Sequence, residues 1–331
     1  MLPTSELVRL ARTVDEDGAS PLADSAAARW GWRETTFLRS SAAHVFAAGP
    51  AGAPPEAVVR LVPKGTVAAS TAPQVARLSR QLAVLGAPVA ESIPTRYGED
   101  TVDIDDGIGS YTATAFTFAP GPSPEISELS ETEVASWAGA VAHLHLAGYG
   151  LSAASMPPEW LTSELIPAAT VLSSTILAQV AAKTVEAVAS LPRSGDVYGL
   201  VHGDPETDNL RWQGAAPLMI DLDDAARSWF MSDVCFALRD LAPRTAVPDR
   251  QHPVVTAFLR GYREVRALTD HEVSWWPLLA RAQAVVAVAR LHPAVTEAVD
   301  GDWPTWAKTL HARLCEIADQ YVTALNLPIP R

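Results

Sequence analysis

Residues 198–226, YGLVHGDPETDNLRWQGAAPLMIDLDDAA, gather the side chains in this chain whose types and spacing could do chemistry. Asp204 and Asn209 stand in a polar loop, His202 to Asn209, between the short apolar pieces Leu200-Val201 and Leu210-Arg211-Trp212. Gln213–Pro217 reads as a turn and Leu218-Met219-Ile220 as a returning strand. If that hairpin pairs Trp212 with Leu218, Asn209 lies opposite Asp221, and directly opposed residues on an antiparallel ladder share a face. An amide oxygen and a carboxylate would then emerge together at its open end. Hard oxygens from one or two carboxylates, completed by phosphate oxygens, are what Mg2+ requires, and Asp204 is a further acid, in the same loop as Asn209. An aspartate accepting the proton of an attacking hydroxyl, beside an Asn/Asp pair holding metal, fits phosphoryl transfer. That chemistry asks for positioning and charge with little covalent help.

Such a loop needs elements to hold it, and the chain divides into two textures. The first third suggests a short helix at Thr4–Val14, strands at Glu34–Ala48 and Glu56–Val62, a helix at Gln74–Leu85, and strands at Thr101–Ile104 and Tyr111–Phe118. Helix and strand periodicities alternate there in the order β–β–α–β–β. Ala119-Pro120-Gly121-Pro122-Ser123-Pro124 is the best linker. Beyond it Ser130-Glu131-Thr132-Glu133 forms a capping box opening a helix with Val134, Trp137, Ala138, Val141 and Leu144 on one face. Further helices are expected at Thr162–Leu191, Ser232–Leu241, Pro253–Ala267, His271–Leu291 and Trp303–Leu325. Only residues 197–224 interrupt this helical half with strands.

Composition narrows the partners. The 331 residues carry 25 basic and 38 acidic side chains, a net charge of −13, which argues against nucleic acid or an anionic membrane surface as partner. Nearly all positive charge is arginine, with lysine only at 64, 183 and 308. Cys235 and Cys315 form no CxxC pattern, so neither a disulfide scaffold nor a cysteine zinc site is expected. No basic-then-apolar leader and no uninterrupted apolar run of about 18 residues is visible, and a cytoplasmic location is expected.

The HGD-PETD-N run at residues 202–209, followed by MIDLDD at 219–224, resembles the HGDxxxxN and IDxxD motifs of the aminoglycoside phosphotransferase and choline kinase-type family. The subgroup it resembles includes homoserine-kinase-like and stress-response-kinase-like members. The continuation Trp229-Phe230-Met231-Ser232-Asp233-Val234 and Ala237-Leu238-Arg239-Asp240-Leu241 resembles the family too. The resemblance implies an α+β, bilobal protein-kinase-like fold. A small β-sheet N-lobe with one helix, residues 1–118, would bind nucleotide, and a larger, mainly helical C-lobe, residues 119–331, would hold catalysis and substrate. It implies an ATP- and Mg2+-dependent enzyme that moves the γ-phosphate to a hydroxyl of a small molecule such as an aminoglycoside, amino alcohol or sugar. Both antibiotic resistance and metabolism are compatible roles. A Ser/Thr protein kinase of the same fold, or a weakly active nucleotide-binding pseudokinase, remain as alternatives.

Residue by residue, the resemblance makes Asp204 the catalytic base and Asn209 and Asp221 the metal ligands. His202 becomes structural support of the loop, and Asp233 holds the loop's backbone from the next helix. Arg60 takes the place of the strand lysine that contacts ATP phosphates. Ser40 and Ser41 lie in the phosphate-covering turn, and Thr117, Phe118 and Ala119 in the hinge meeting adenine. Asp223, Trp229, Arg239 and Asp240 are candidates for the acceptor site. Two departures stand out. Arginine presents a planar fork where lysine presents a point charge, and the helix at Gln74–Leu85 offers no glutamate to pair with it, Gln74 being nearest. His143 and His145, two apart on a helix, face about 200° away from each other and make no metal pair; His145 reads as a core residue and His44 as a loop histidine.

Overall fold

The computed structural model describes residues 3–15, 17–40, 43–105, 107, 109–242 and 245–326. It divides into two compact units, Met1–Ala83 with Ala90–Ala119 and Thr296–Ala312, and Val84–Val89 with Pro120–Val295 and Arg313–Arg331. The break after Ala119 falls in the linker region read from the sequence. The segment Thr296–Ala312, placed by the sequence in the second lobe, groups with the first unit.

In the first unit, helices α1 (Thr4–Ala11) and α2 (Pro21–Ala27) precede strands β1 (Glu34–Ser40), β2 (His44–Gly49) and β3 (Ala57–Pro63). Helix α3 (Val67–Val84) and strands β4 (Val102–Asp105) and β5 (Ser110–Thr117) follow. The strands form one antiparallel sheet in the order β1-β2-β3-β5-β4. The single strand expected over Glu34–Ala48 is instead a hairpin, with Glu34 opposite Gly49 and Ser40 opposite His44. Fifteen extended residues would run roughly 50 Å, beyond what a small sheet can pair. Helix α3 also begins seven residues earlier than its periodicity suggests. Thr66 Oγ1 accepts from Ala69 N at 3.1 Å and caps it, and Ala69, Ala72, Val75 and Ala76 are buried on both sides of Pro73. That packing offsets the hydrogen bond Pro73 cannot make. Phe46, Val59, Leu61, Tyr111, Ala113 and Ala115 fill the core beneath the sheet with Trp30 and Trp32.

In the second unit, α4 (Glu131–Gly148) starts at the capping box, Ser130 Oγ accepting from Glu133 N at 3.3 Å and Glu133 Oε2 from Ser130 N at 2.8 Å. The helix expected over Thr162–Leu191 is broken into a π-helical turn (Leu161–Leu165), α5 (Ile166–Val171), a 3-10 turn (Leu172–Ser174) and α6 (Ala178–Ala189). Ser173 and Thr175 hydroxyls donate to the carbonyls of Thr170 and Leu172 at 2.7 Å each, the local competition that ends helices at Ser/Thr clusters. Strands β6 (Tyr198–Val201), β7 (Leu210–Gln213), β8 (Ala216–Met219) and β9 (Ala226–Trp229) follow, then α7 (Phe230–Ala237), α8 (Pro253–Val265), α9 (Asp270–Val273) and α10 (Trp276–Val295). β6 pairs with β9 and β7 with β8, both antiparallel. By length and composition α10 could cross a membrane, but it carries Arg281, Gln283 and Arg290, half of its apolar window is buried, and Gln283 donates to Ser232 O at 2.8 Å. It behaves as a core helix of this unit. The last helix, α11, covers Thr305–Asn326.

Candidate active site

The loop between β6 and β7 is tied down from several directions within the second unit. Asp233, fully buried on α7, accepts from His202 N (2.8 Å) and Gly203 N (2.9 Å), and from His145 Nε2 at 2.9 Å. His145 Nδ1 meets Tyr262 Oη at 2.7 Å, and Arg266 donates to that same Oη at 3.3 Å. Burial pushes the His145 pKa down and the Tyr262 phenol up. A neutral His145 therefore donates to Asp233 and accepts from Tyr262, so every donor in the chain points toward the Asp233 carboxylate. Trp137 Nε1 holds the Pro205 carbonyl at 2.9 Å. Gly203 has φ +87, and a Cβ there would lie 2.1 Å from the Asp224 carbonyl oxygen, so only glycine fits.

On this support sits Asp204. Its N–H donates to His202 Nδ1 at 3.3 Å, which makes Nε2 the protonated ring nitrogen, donating to Ile220 O at 3.1 Å. Asn209, 5% exposed, donates from Nδ2 to the Asp204 carbonyl at 2.9 Å, leaving its amide oxygen as a hard donor. Oδ1 of Asp204 is buried and makes no hydrogen bond among the described residues; its nearest cation is Arg239 Nη1 at 3.7 Å. Burial pushes the Asp204 pKa up to about 7. Arg239 pulls it down, the charges of Asp224 and Asp221 raise it again, and the Asn209 hydrogen bond lowers it. Glu206 is pushed up to about 7 by burial and then by Asp204, with Arg239 opposing.

The β7–β8 register differs by one residue from the sequence expectation. Leu210 pairs with Met219, Arg211 with Leu218 and Trp212 with Pro217, so Trp212 does not face Leu218 and Ile220 takes the place opposite Asn209, donating to its carbonyl at 2.9 Å. A one-residue slip on a regular ladder would send Asp221 to the other face. Asp221 instead leaves the strand with φ +66, the one non-glycine positive φ among the described residues, and its charge reaches Asp204. Strained conformations of this kind concentrate at sites of function.

The structure therefore brings Asp204, Asn209, Asp221 and Arg239 together, with His202 and Asp233 behind them. Asp223 lies in the turn after β8, half-buried. Asp224 is held by Arg290 at 2.7 Å, and Arg290 also pairs with Glu164 of the π turn at 2.9 Å. Trp229 does not line a pocket: it is fully buried, its Nε1 donates to Pro192 O at 2.7 Å and its ring meets Tyr198 edge-on. Its place in the β6–β9 ladder turns it into the core. Asp240 is mostly exposed, 3.9 Å from Arg239 Nε. Glu206, two residues past Asp204, was overlooked in the sequence, and the tie from His145 to Asp233 was too; the first could have been found from its spacing, the second joins residues 88 apart.

In the first unit, Arg60 stands on β3 opposite Thr114 with its guanidinium 5.9 Å from the Phe116 ring centroid. Ser40 ends β1 with a buried hydroxyl that makes no hydrogen bond among the described residues; Ser41 lies outside them. Thr117 exchanges hydrogen bonds with Glu91, its N–H to the Glu91 carbonyl at 2.8 Å and its hydroxyl accepting at 3.1 Å. Phe118 N donates to Glu56 O at 2.9 Å, and Ala119 is buried. His44 is a buried strand residue of β2, packed against Phe37 and Phe46, and not a loop histidine. Gln74 is exposed on α3, and the residues α3 buries include no acid, so Gln74 does not substitute for a strand-facing glutamate.

The donor set fits a divalent cation of the Mg2+ type. Among the described residues no group of three or more His, Cys, Asp or Glu side chains could hold a metal by themselves. One amide oxygen and one carboxylate beside a carboxyl already strained by neighbouring negative charge is a set that a cation sharing phosphate oxygens would complete.

Four similarities bear on this geometry. The family described as "Phosphotransferase enzyme family" (APH) matches residues 26–268. An amicoumacin kinase of Bacillus subtilis (strain 168) is 28% identical over 225 residues, 64% of this chain and 67% of that protein. Among solved structures, an amicoumacin kinase in complex with AMP-PNP, Ca2+ and Ami superposes with a TM-score of 0.68 at 19% identity, over 96% of this chain and 93% of the other. A microcompartment-associated aminopropanol kinase reaches 0.61 at 15% identity, over 98% and 99%. At such identities the likeness is one of fold: α+β and kinase-like, with an antiparallel N-terminal sheet and a helical C-terminal part.

Proposed function

The chain belongs to the phosphotransferase enzyme family, and from that premise we propose that it moves the γ-phosphoryl group of ATP to a hydroxyl of a small molecule, such as an amino alcohol, aminoglycoside or sugar, with Asp204 as general base. The observation that carries this reading is the Asp204 carboxylate itself. It stands on a loop whose backbone is pinned by Asp233 and beside the Asn209 amide and the Asp221 carboxylate.

In this reading the acceptor hydroxyl gives its proton to the Asp204 carboxylate as its oxygen forms the bond to the γ-phosphorus. The bond from that phosphorus to the bridging oxygen breaks, and ADP leaves. Asn209 Oδ1 and Asp221 would hold Mg2+, which supplies positive charge to the phosphate oxygens when bound. A nearby cation also favours the ionised form of Asp204 that a base requires, against the burial that now raises its pKa. His202, fixed by its two ring hydrogen bonds, holds the loop's shape. In the first unit, Arg60 and Ser40 would meet the nucleotide's phosphates and the Thr117–Ala119 segment its base. Asp223 and Asp240 are the acceptor-facing acids of this proposal.

The test is an ATP-consumption screen with Mg2+ over amicoumacin, aminopropanol and other amino alcohols, aminoglycosides and sugars. Acceptor-dependent ADP release is expected for at least one amine-bearing alcohol. No turnover with any acceptor, together with no thermal stabilisation by Mg–AMP-PNP, contradicts the proposal.

A further inference from the structure

Arg239, in the 3-10 turn that follows α7, has a carboxylate near each of its three guanidinium nitrogens. Nη2 donates to Glu206 Oε2, Nη1 lies 3.7 Å from Asp204 Oδ1, and Nε lies 3.9 Å from Asp240 Oδ1. One face of the cation rests on the Phe236 ring, with Cζ 4.0 Å from the ring centroid. An aromatic ring under a planar fork sets the plane of the fork as well as its position. Glu206 is fixed in turn, because its carbonyl accepts from Asn209 N at 3.0 Å in the turn that carries Asn209.

Asp204 gains from this arrangement what its own hydrogen bonds do not supply. Its backbone is tied at both ends, by His202 and by Asn209. The carboxylate is different: Oδ1 is buried and accepts no hydrogen bond from the described residues, and Arg239 is the cation beside it. Besides the Asn209 side chain, the ion pair with Arg239 is what restrains rotation of the carboxyl about its side-chain bonds. A guanidinium held by Glu206 and Phe236 can restrain it; one free to swing could not.

We propose that Arg239 is a positioning residue that aims the Asp204 carboxylate, and that Glu206 serves the reaction through Arg239 and not by contact with the acceptor. A carboxylate already engaged by a guanidinium edge is a poor partner for an incoming ammonium group, and a guanidinium ringed by three carboxylates is a poor one for an incoming anion. This proposal rests on the assignment of Asp204 as base, and the test separates the two.

The experiment is a double-mutant cycle of Arg239→Gln and Glu206→Gln, with Arg239→Lys as the conservative variant. Steady-state turnover is read with Mg-ATP and the acceptor found by screening, or with Mg-ATP and water as acceptor if none is found. Melting temperature and the shift given by Mg–AMP-PNP are read alongside. Arg239→Gln is expected to lower kcat by about 10²-fold, the scale of a misplaced catalytic group, with acceptor and ATP KM values within about twofold and the nucleotide shift kept. Glu206→Gln should give a smaller loss of the same type, and the double variant should be no slower than Arg239→Gln alone. Arg239→Lys should recover part of the rate, since one ammonium cannot span two carboxylates as a fork does.

A higher acceptor KM at unchanged kcat in either single variant overturns the proposal and makes that residue an acceptor contact. Multiplying effects in the double variant, or unchanged kinetics, overturn it too. Wild-type turnover that survives in Asp204→Asn overturns the base assignment, and this inference with it. Turnover that depends on Asp204 but not on Arg239 overturns this inference alone.

Discussion

In the second unit the first four residues of the loop, His202 to Pro205, are each held by a hydrogen bond to Asp233, Trp137 or Asn209, buried or partly buried. In the first unit Arg60, Ser40 and Thr117 stand at ordinary positions of an antiparallel sheet, fixed by the ladder itself and by packing beneath it. The contrast separates two ways of placing polar groups. Buried polar networks fix geometry tightly because each unmet partner is costly, which suits groups that must meet a reacting atom. Ladder positions give a side chain a direction and leave its length to adapt, which suits contact with a flexible polyphosphate.

The contrast can be broken most forcefully at Asp233. Asp233→Ala strands the N–H groups of His202 and Gly203 and the His145 ring, three buried donors at about 1–3 kcal/mol each. A loss of about 3–5 kcal/mol is expected, measured by urea unfolding. Gly203→Ala comes next, because its Cβ would collide with a backbone carbonyl at positive φ. About 2–4 kcal/mol is expected in the same assay, with turnover lost out of proportion to stability.

Acidity probes the same network more gently. His145 has its pKa lowered by burial, so between that value and about 6.5 the unfolded chain binds a proton that the folded chain refuses. Its contribution to stability is complete above pH 6.5 and is lost as pH falls below it, by at most about 1.4 kcal/mol per pH unit. Asp204 and Glu206 act with opposite sign: their raised pKa values make the folded state hold protons that the unfolded one has released, so stability falls as pH rises from about 4 to about 7. Comparing wild type with His145→Gln at each pH isolates the histidine, and the variant should show the shallower decline on the acid side. The smallest effect is expected at Arg60. Arg60→Met should leave stability within about 0.5 kcal/mol while raising the KM for ATP several-fold, read by initial rates; a stability loss as large as that of Asp233→Ala would erase the distinction between the two regions.

Sequence reasoning reached furthest where chemistry and local pattern coincide. The run from His202 to Asn209, the Ser130 capping box and the Ala119–Pro124 linker are each legible within a few residues. What was lost lies in tertiary partnership and exceptional backbone. The β7–β8 register was misjudged by one because the turn is tighter than Gln213–Pro217, with Gln213 opposite Ala216. Asp221 nevertheless reaches the site through a positive φ that no aspartate announces. Trp229 looked like a pocket residue because aromatic type alone does not tell a ladder position facing the core from one facing a ligand. Arg239 reads from the sequence as an acceptor-site candidate, but its stacking on Phe236 and its bond to Glu206 need the fold.

The central claim is that Asp204 takes the proton of the acceptor. Asp204→Asn keeps the size of the side chain and removes its basicity. Acceptor-dependent phosphorylation by this variant should fall by about 10²–10⁴-fold, while Mg–AMP-PNP still raises the melting temperature as it does for wild type. Phosphorylation within about twofold of wild type, in a folded and nucleotide-binding variant, would contradict the account.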